Sequence, residues 1–350
     1  VSDLTLLVNG TVYGGWKLVQ VTRSIEQIAG TFTLGVSERW PGQQAWRGIL
    51  PGHRCTVRIG ATTVITGHVD DVNPSYNATH HAVDVAGRDA TGDLVDCSAV
   101  HGTGEWSDCS LQAIVADLCR PFGISVAAAT STGAVFRRFR IEEGESAFEA
   151  IERACRMRGV LPVSDSKGGL ILTRAGTSRA GVRLVRGQNI LEADGAYSWR
   201  DRHSRYVVKS QKPGIDDEAS GEETSRIFGE SKDGGVGRYR PLVLLAEQAA
   251  DRKASQERAV WEANVRASRA RRVSMAVQGW EETPGGPLWE PNRIVAVQDD
   301  WLGVNQDMLV AAVVLTKDEG GEVARLTMMP PGAFQLLVKT DKKEGEGWML

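Results

Sequence analysis

One pattern constrains this chain more than any other: a strand-loop-strand-hairpin unit that occurs twice. "TFTLGV" (31–36) alternates Phe32, Leu34 and Val36 with Thr31, Thr33 and Gly35, and "RVSMAVQGW" (272–280) alternates Val273, Met275 and Val277 in the same way. After a loop, "ILPGHRCTVRIG" is matched by "WEPNRIVAVQD", and "VITGHVDDVNPSYNATHHAVDVAGR" by "DMLVAAVVLTKDEGGEVARLTMMP". The step from Phe32 to Pro51 recurs from Val273 to Pro291 with a single position less, and Phe32–Val85 equals Val273–Leu326 in length. Alternation of period two with polar partners means half-buried antiparallel strands. The repeat therefore predicts two similar antiparallel β-barrels.

The stretches outside the repeat divide a 350-residue chain, long enough for two or three domains. Asn9-Gly10 between apolar flanks marks a tight hairpin, because both central residues must take positive φ. "SDCSLQAIVADLCRPFGI" places Leu111, Ile114, Val115 and Leu118 at helical spacing, with Asp108 or Ser110 as N-cap. A second helix carries Phe148, Ile151 and Cys155 on one face, with Gly159 as its stop, and a hairpin turns at Lys167-Gly168-Gly169. The predicted fold class is β-rich α+β. Its parts are a first barrel at 1–98, an α+β insert at 99–178, a second barrel at 179–335 and a charged tail at 336–350. Whether strands after residue 179 complete the first barrel stays open. Within the second barrel, 213–237 reads as a mobile acidic loop. Residues 246–271 read as a long helix with a narrow stripe of Ala250, Ala254, Trp261 and Val265, which needs a partner surface.

The candidate chemistry is concentrated in "GHVDDVNPSYNATHHAVDVAGRD" (67–89), where His68, Asp70, Asp71, His80, His81, Asp84 and Asp89 crowd together. In the second copy the same strands read "LVAAVVLTK" and "EVARLTMM", so the polar residues vanish while the strands stay. Adjacent histidines on a strand point to opposite faces and cannot readily share one ion. These side chains are expected to form the solvated face of a hairpin, with no metal needed for folding or function. Glu142, Glu143, Glu145, Glu149 and Glu152 could offer a carboxylate pair for glycoside cleavage. They more simply enrich the entry and first turns of a helix, where the dipole favours negative charge. "HGTGEWSDCS" lacks the Gly-Lys-Ser/Thr ending of a phosphate loop and reads as a linker or turn. "RASRARR" (266–272) reads as a solvated helix end rather than a nucleic-acid grip.

Composition narrows the class further. The hydrophobic share of 41% supports a real core, and a formal charge of −3 offers no global attraction to nucleic acid or acidic lipid. No apolar run approaches the ~18 residues that would span a bilayer, and "VSDLTLLVNG" shows no secretory pattern. Cys55, Cys97, Cys109, Cys119 and Cys155 form no C-x-x-C pair and are expected to be reduced, buried thiols, which fits folding in a cytoplasm.

The order "VNG…GW…V…SIEQIAGTFTLGVSE", "PGHRCTVRIG…ITGHVDDV" and "VAGRDATGDLVDCSA" resembles the baseplate hub proteins of Mu-like contractile-tailed phages. "ESAFEAIERACRMRGVLPVSDSKGGLILTRAG" and the stretch from "VQGW" to "MMPPGAF" extend the likeness to roughly residues 3 to 335. The wider group includes late control D proteins and the hub part of type VI secretion spikes. The resemblance implies a homotrimer of two-barrel subunits seated between a hexameric tail tube ring and a central membrane-piercing spike, in contact with other baseplate proteins. It implies assembly in the host cytoplasm and retention in the virion. It implies no catalytic residues; no cofactor-binding or metal-binding residues, no cofactor, no nucleic-acid contact and no stable membrane insertion are expected either. The alternative is a carbohydrate-directed tail enzyme or binding module, its tail location taken from the resemblance and its site from the acids of 142–152 or 68–89.

Overall fold

The computed structural model describes residues 3–37, 48–78, 81–176, 178–210, 227–246 and 252–332. The chain opens with β1 (Leu4–Val8), β2 (Thr11–Tyr13), β3 (Leu18–Ser24), β4 (Thr31–Ser37), β5 (Arg54–Ile59), β6 (Thr62–Tyr76) and β7 (His81–Asp89). Asn9 and Gly10 turn β1 into β2 with φ of 49° and 81°, as the hairpin signal requires. A short helix, α1 (Gly92–Asp96), leads into the insert: β8 (Glu105–Cys109), α2 (Leu111–Cys119), β9 (Val126–Ala128), β10 (Phe136–Arg140), α3 (Ala147–Arg156), β11 (Leu161–Ser164) and β12 (Leu170–Thr173). There follow β13 (Ser178–Val185), β14 (Glu192–Tyr197), β15 (Arg205–Ser210), β16 (Ile227–Lys232), β17 (Pro241–Leu245) and α4 (Arg252–Arg269). The second unit is β18 (Arg271–Gln278), β19 (Arg293–Asp299), β20 (Val304–Asp318) and β21 (Gly321–Met329).

The repeat holds at the level of hydrogen-bond register. Strand order is β4-β7-β6-β5 in the first unit and β18-β21-β20-β19 in the second. Phe32 pairs with Gly87 and Val273 with Met328, so the offset that carries Phe32 onto Val273 also carries Gly87 onto Met328. A β-bulge lies after Val69 in β6 and after Val310 in β20, the same place under that offset. Side-chain volume trades across the equivalent pairs. A Cβ at Gly87 would lie 2.6 Å from the Phe32 ring, whereas the second unit sets Val273 opposite a full Met328. The bulkier side chain of the pair thus stands on the first strand in one unit and on its partner strand in the other.

The two units are not separate bodies. β20 pairs with β3, from Ala312 opposite Ser24 to Lys317 opposite Val19, so strands of both units belong to one 13-stranded sheet. The path runs β14-β18-β21-β20-β3-β4-β7-β6-β5-β1-β2, with β19 also on β20 and β13 on β19, and it closes into no ring among the described residues. A strand from beyond residue 179 thus does reach the first unit. One apolar core, from Leu6, Phe32 and Val85 to Met275, Val310 and Leu326, lies behind both. Each such buried aliphatic or aromatic side chain contributes about 1.5–3 kcal/mol.

The insert has its own core, with Ile114, Leu118, Phe139, Ile151 and Cys155 among its members. Ser110 caps α2 and Asp108 does not: it sits at φ 49° at the end of β8. Glu105–Cys109, read as linker or turn, is a strand paired with β10, because Trp106 buries its ring and donates its indole N–H to Asp117 at 2.9 Å. Two further expectations change. Part of the acidic loop, Ile227–Lys232, is β16, which pairs with β15; residues 213–226 lie outside the described residues, as does the tail 336–350. The long helix is Arg252–Arg269: Arg271 already belongs to β18, Ala246 is not helical, and Ala250 falls outside the described residues. Its buried face holds Ala259, Val260, Ala263 and Val265, with Trp261 only partly covered. Its partner lies within the chain. A Cβ at Gly229 of β16 would collide with the Ser255 carbonyl, and the Gln256 side chain bonds both the N–H and the C=O of Glu230, at 3.0 and 2.7 Å.

Candidate functional site: the seam and the open bulge

Two places in the sheet combine a special backbone geometry with a defined set of side chains: the bulges after Val69 and after Val310. At the second-unit bulge, Ala311 is fully buried, and its carbonyl accepts from the Ile25 N–H at 2.9 Å and the Ser24 hydroxyl at 3.2 Å. Leu309, Ala311 and Met329 form one apolar cluster with Ile25, Leu161 of the insert and Val265 of α4. Charge ties surround this seam. Glu26 accepts from Arg269 at 2.8 Å and Arg272 at 2.7 Å, and Arg23 lies 3.3 Å from Glu290. The arginines of 266–272, expected to be a solvated helix end, thus include the clamps of the seam. On α4, Glu262 sits between Arg258 and Arg266; burial pushes its pKa up, but the two guanidinium groups outweigh this and hold it below the usual carboxylate range.

The first-unit bulge is the counterpart, and it is polar and open. Under the offset that relates the units, Leu309, Ala311 and Met329 correspond to His68, Asp70 and Arg88. Arg88 reaches Asp70 at 2.7 Å and Asp96 at 2.6 Å, and these two carboxylates push its pKa above the ordinary arginine value. The same ion pair holds Asp96 below the usual carboxylate range. His68, Asp70 and Arg88, with Gly52, Asp71 and Asp93, line an open cavity of about 630 Å³.

Most of the crowded hairpin is a face. His81 and Asp84 are exposed, His81 packing its ring 5.7 Å from that of Tyr76, and His80 lies outside the described residues. Asp89 is the correction: it is buried and structural, accepting from the Gly30 N–H at 2.7 Å, the Thr91 N–H at 2.9 Å and the Thr91 hydroxyl. Burial raises its pKa, and these donors partly offset that. Among the described residues no group of three or more His, Cys, Asp or Glu side chains is placed to hold a metal ion.

Of the glutamates of 142–152, Glu142, Glu145, Glu149 and Glu152 have partners in or before α3, and Glu143 is exposed. Ser146 and Glu149 form a reciprocal capping box on α3. Glu145 lies 2.6 Å from the buried Arg153, whose guanidinium also stacks 4.5 Å from the Phe139 ring centre. Glu152 pairs with Arg156 one turn on, at 3.2 Å. All five cysteines are free, but Cys97 is exposed and Cys109 half-buried, against the expectation of burial for all. Burial pushes the Cys55 and Cys119 thiols up to about 12, which makes them inert small hydrophobes.

Comparison with known proteins gives a consistent picture. Residues 3–89 match the Mu phage baseplate assembly protein GpP-like N-terminal model, 91–174 the second domain of baseplate hub protein gp44-like, and 251–337 the fourth domain of Mu phage baseplate assembly protein GpP. Baseplate hub protein gp44 of Escherichia phage Mu is 35% identical over 99% of this chain and 92% of its own. Among solved structures, the 43 kDa tail protein of prophage MuSo2 from Shewanella oneidensis is 35% identical with a TM-score of 0.86, covering 95% of this chain and 100% of that one. A tail protein from Neisseria meningitidis MC58 gives 20% identity and 0.81 over 95% and 97%. The E. coli c3393 protein, a component of the type VI secretion system, gives 10% and 0.58 over 93% and 76%; the last two show likeness of fold alone. Among the described residues no helix is long and apolar enough to cross a membrane.

Proposed function

The chain belongs to the Mu baseplate hub family, a structural and non-enzymatic family of the virion tail, and on that premise we propose that it is a trimeric symmetry adaptor. Three copies, each with two similar strand units, present six similar elements to a hexameric tail tube ring. The parts that occur once per chain, the insert and the β15–β17 layer with α4, repeat three times and suit a trimeric spike. In the assembled ring each strand unit is a barrel. The division into 1–98, 99–178 and 179–335 separates the two adaptor units from the insert. Assembly takes place in the host cytoplasm, no residue is catalytic, and no cofactor is used.

The observation that carries this reading is the shared register and bulge of β4, β7 and β6 with β18, β21 and β20 under one constant offset along the chain. Identical element geometry, used twice and tripled, is what a six-fold partner requires of a three-fold protein. Light scattering of the purified chain should give three times its 37.9 kDa mass, and negative-stain images should show a ring with six similar lobes. A monomer at micromolar concentration, or a ring with three lobes only, would overturn the adaptor mechanism.

A further inference from the structure

Among the described residues β20 has two strand partners along one edge, and its counterpart β6 has one. The first half of β20 pairs with β19, the half from Ala312 to Lys317 pairs with β3, and β21 takes the opposite edge. In the first unit the first half of β6 pairs with β5 and β7 takes the opposite edge. Among the described residues no strand lies along the outer edge of β6 from Asp71 to Tyr76. The counterpart of β3 is β14: Gly195 opposite Val273 and Ala193 opposite Met275 repeat Val21 opposite Phe32 and Val19 opposite Leu34. Among those same residues β14 ends the sheet, pairing with β18 alone. Each chain thus holds one complete junction and the two unmatched halves of another of the same kind.

We propose that the outer edge of β6 in one copy pairs with β14 of a neighbouring copy, rebuilding between chains the β20–β3 junction found within one. This deepens the trimeric reading and rests on it. Transferring the intrachain register sets Asn73 opposite Ala196, Pro74 opposite Gly195, Ser75 opposite Asp194 and Tyr76 opposite Ala193. The partner is a second copy because the complementary edge is on the chain itself. Unlike edges joined head to tail also close a ring when the rotation permits. Open edges expose rows of N–H and C=O groups that otherwise invite uncontrolled pairing.

Side-chain exposure points to the same place. Tyr76 is 83% exposed at the end of β6, and Leu191 and Trp199 flank β14 at 58% and 48%. Trp199 is the counterpart of Ile25, which is 6% exposed in the intrachain seam. The pairing sets Trp199 of the neighbouring copy over the open bulge of His68, Asp70 and Arg88. Pro74 supplies no N–H, so this ladder is one donor short of the β20–β3 ladder and relies more on that side-chain cover.

The test is disulfide trapping in a Cys97→Ser, Cys109→Ser background. Ile25 donating to Ala311 places Ala312 opposite Ser24 at a non-hydrogen-bonded site, and Val314 opposite Thr22 is the next of that kind. Such pairs bring Cα atoms to about 4.5 Å, within disulfide reach. Thr22→Cys with Val314→Cys should therefore close within the chain, which reports correct folding. Asn73→Cys with Ala196→Cys should give covalent dimers and trimers on non-reducing gels, absent from each single variant and lost on reduction. A protein that scatters as a trimer yet forms no Asn73–Ala196 cross-link overturns the pairing and leaves the trimer standing. Monomeric wild type and variant overturn the trimeric reading and the pairing with it.

Discussion

The two strand units share strand order and, across three of their strands, register and one bulge, yet they treat that bulge in opposite ways. Where β20 carries Leu309 and Ala311, with Met329 beside them, β6 carries His68 and Asp70, with Arg88 beside them. The first trio lies under Ile25, Leu161 and Val265; the second lines an open cavity. The strand itself tolerates either set, because a bulge needs only backbone geometry. What lies above the strand decides which side chains can stand there. A covered bulge cannot hold an unpaired charge, and an open one gains nothing from alanine.

The sharpest way to break this contrast is to move the charge. Ala311→Asp should cost about 5 kcal/mol or more, since it buries a carboxylate with no cation built to meet it. Urea unfolding, or loss of soluble protein, would read this out. The mirror change, Asp70→Ala, should cost about 1 kcal/mol or less, because the Asp70–Arg88 side chains are 35% and 32% exposed. Comparable losses in the two variants would show that cover does not distinguish the bulges.

Next comes the size trade across the paired strands. Phe32→Ala should cost about 3–5 kcal/mol, since the ring fills the place where Gly87 has no side chain. Val273→Ala, at the equivalent site, removes two methyl groups opposite an intact Met328 and should cost about 2 kcal/mol. Equal losses in chemical denaturation would mean the two cores are filled alike.

A pH-dependent effect concerns the cover itself. Glu262 has a folded-state pKa below its unfolded value, so its stabilisation of α4 is present above the ordinary carboxylate pKa of about 4.3 and is lost as pH falls through the lower folded value. Thermal melts between pH 6 and 3 should show this loss in the wild type. Glu262→Gln should be about 1–2 kcal/mol less stable at pH 7, and the gap should close in acid. A gap independent of pH would assign the difference to packing alone.

Local signals carried a large part of the fold. Asn9-Gly10, Ser110 and the Lys167-Gly168-Gly169 turn each act within a few residues, and the chain folds there as its spacing says. The recurrence of the strand unit was equally visible, because pairing offset is a property of the chain. Strands whose composition mimics loops escaped. β16 lies at the end of an acid- and glycine-rich stretch, and β8 was hidden behind glycines and small polar residues. Both exist because Tyr206 and Trp106 bring apolar bulk to the neighbouring layers. Asp89 looked like the other acids, and only the approach of Gly30 and Thr91 made it an interior anchor.

By itself, the sequence determined that a strand unit is used twice, with the same spacing and alternating faces, since each of these is set by steric and hydrogen-bond periods along the backbone. Tertiary structure alone decided that the units share one sheet through β20 and β3, that α4 covers one bulge, and that the other stays open. A strand edge offers the same backbone groups to any partner, so no pattern in the chain states which strand, near its other end, will take it.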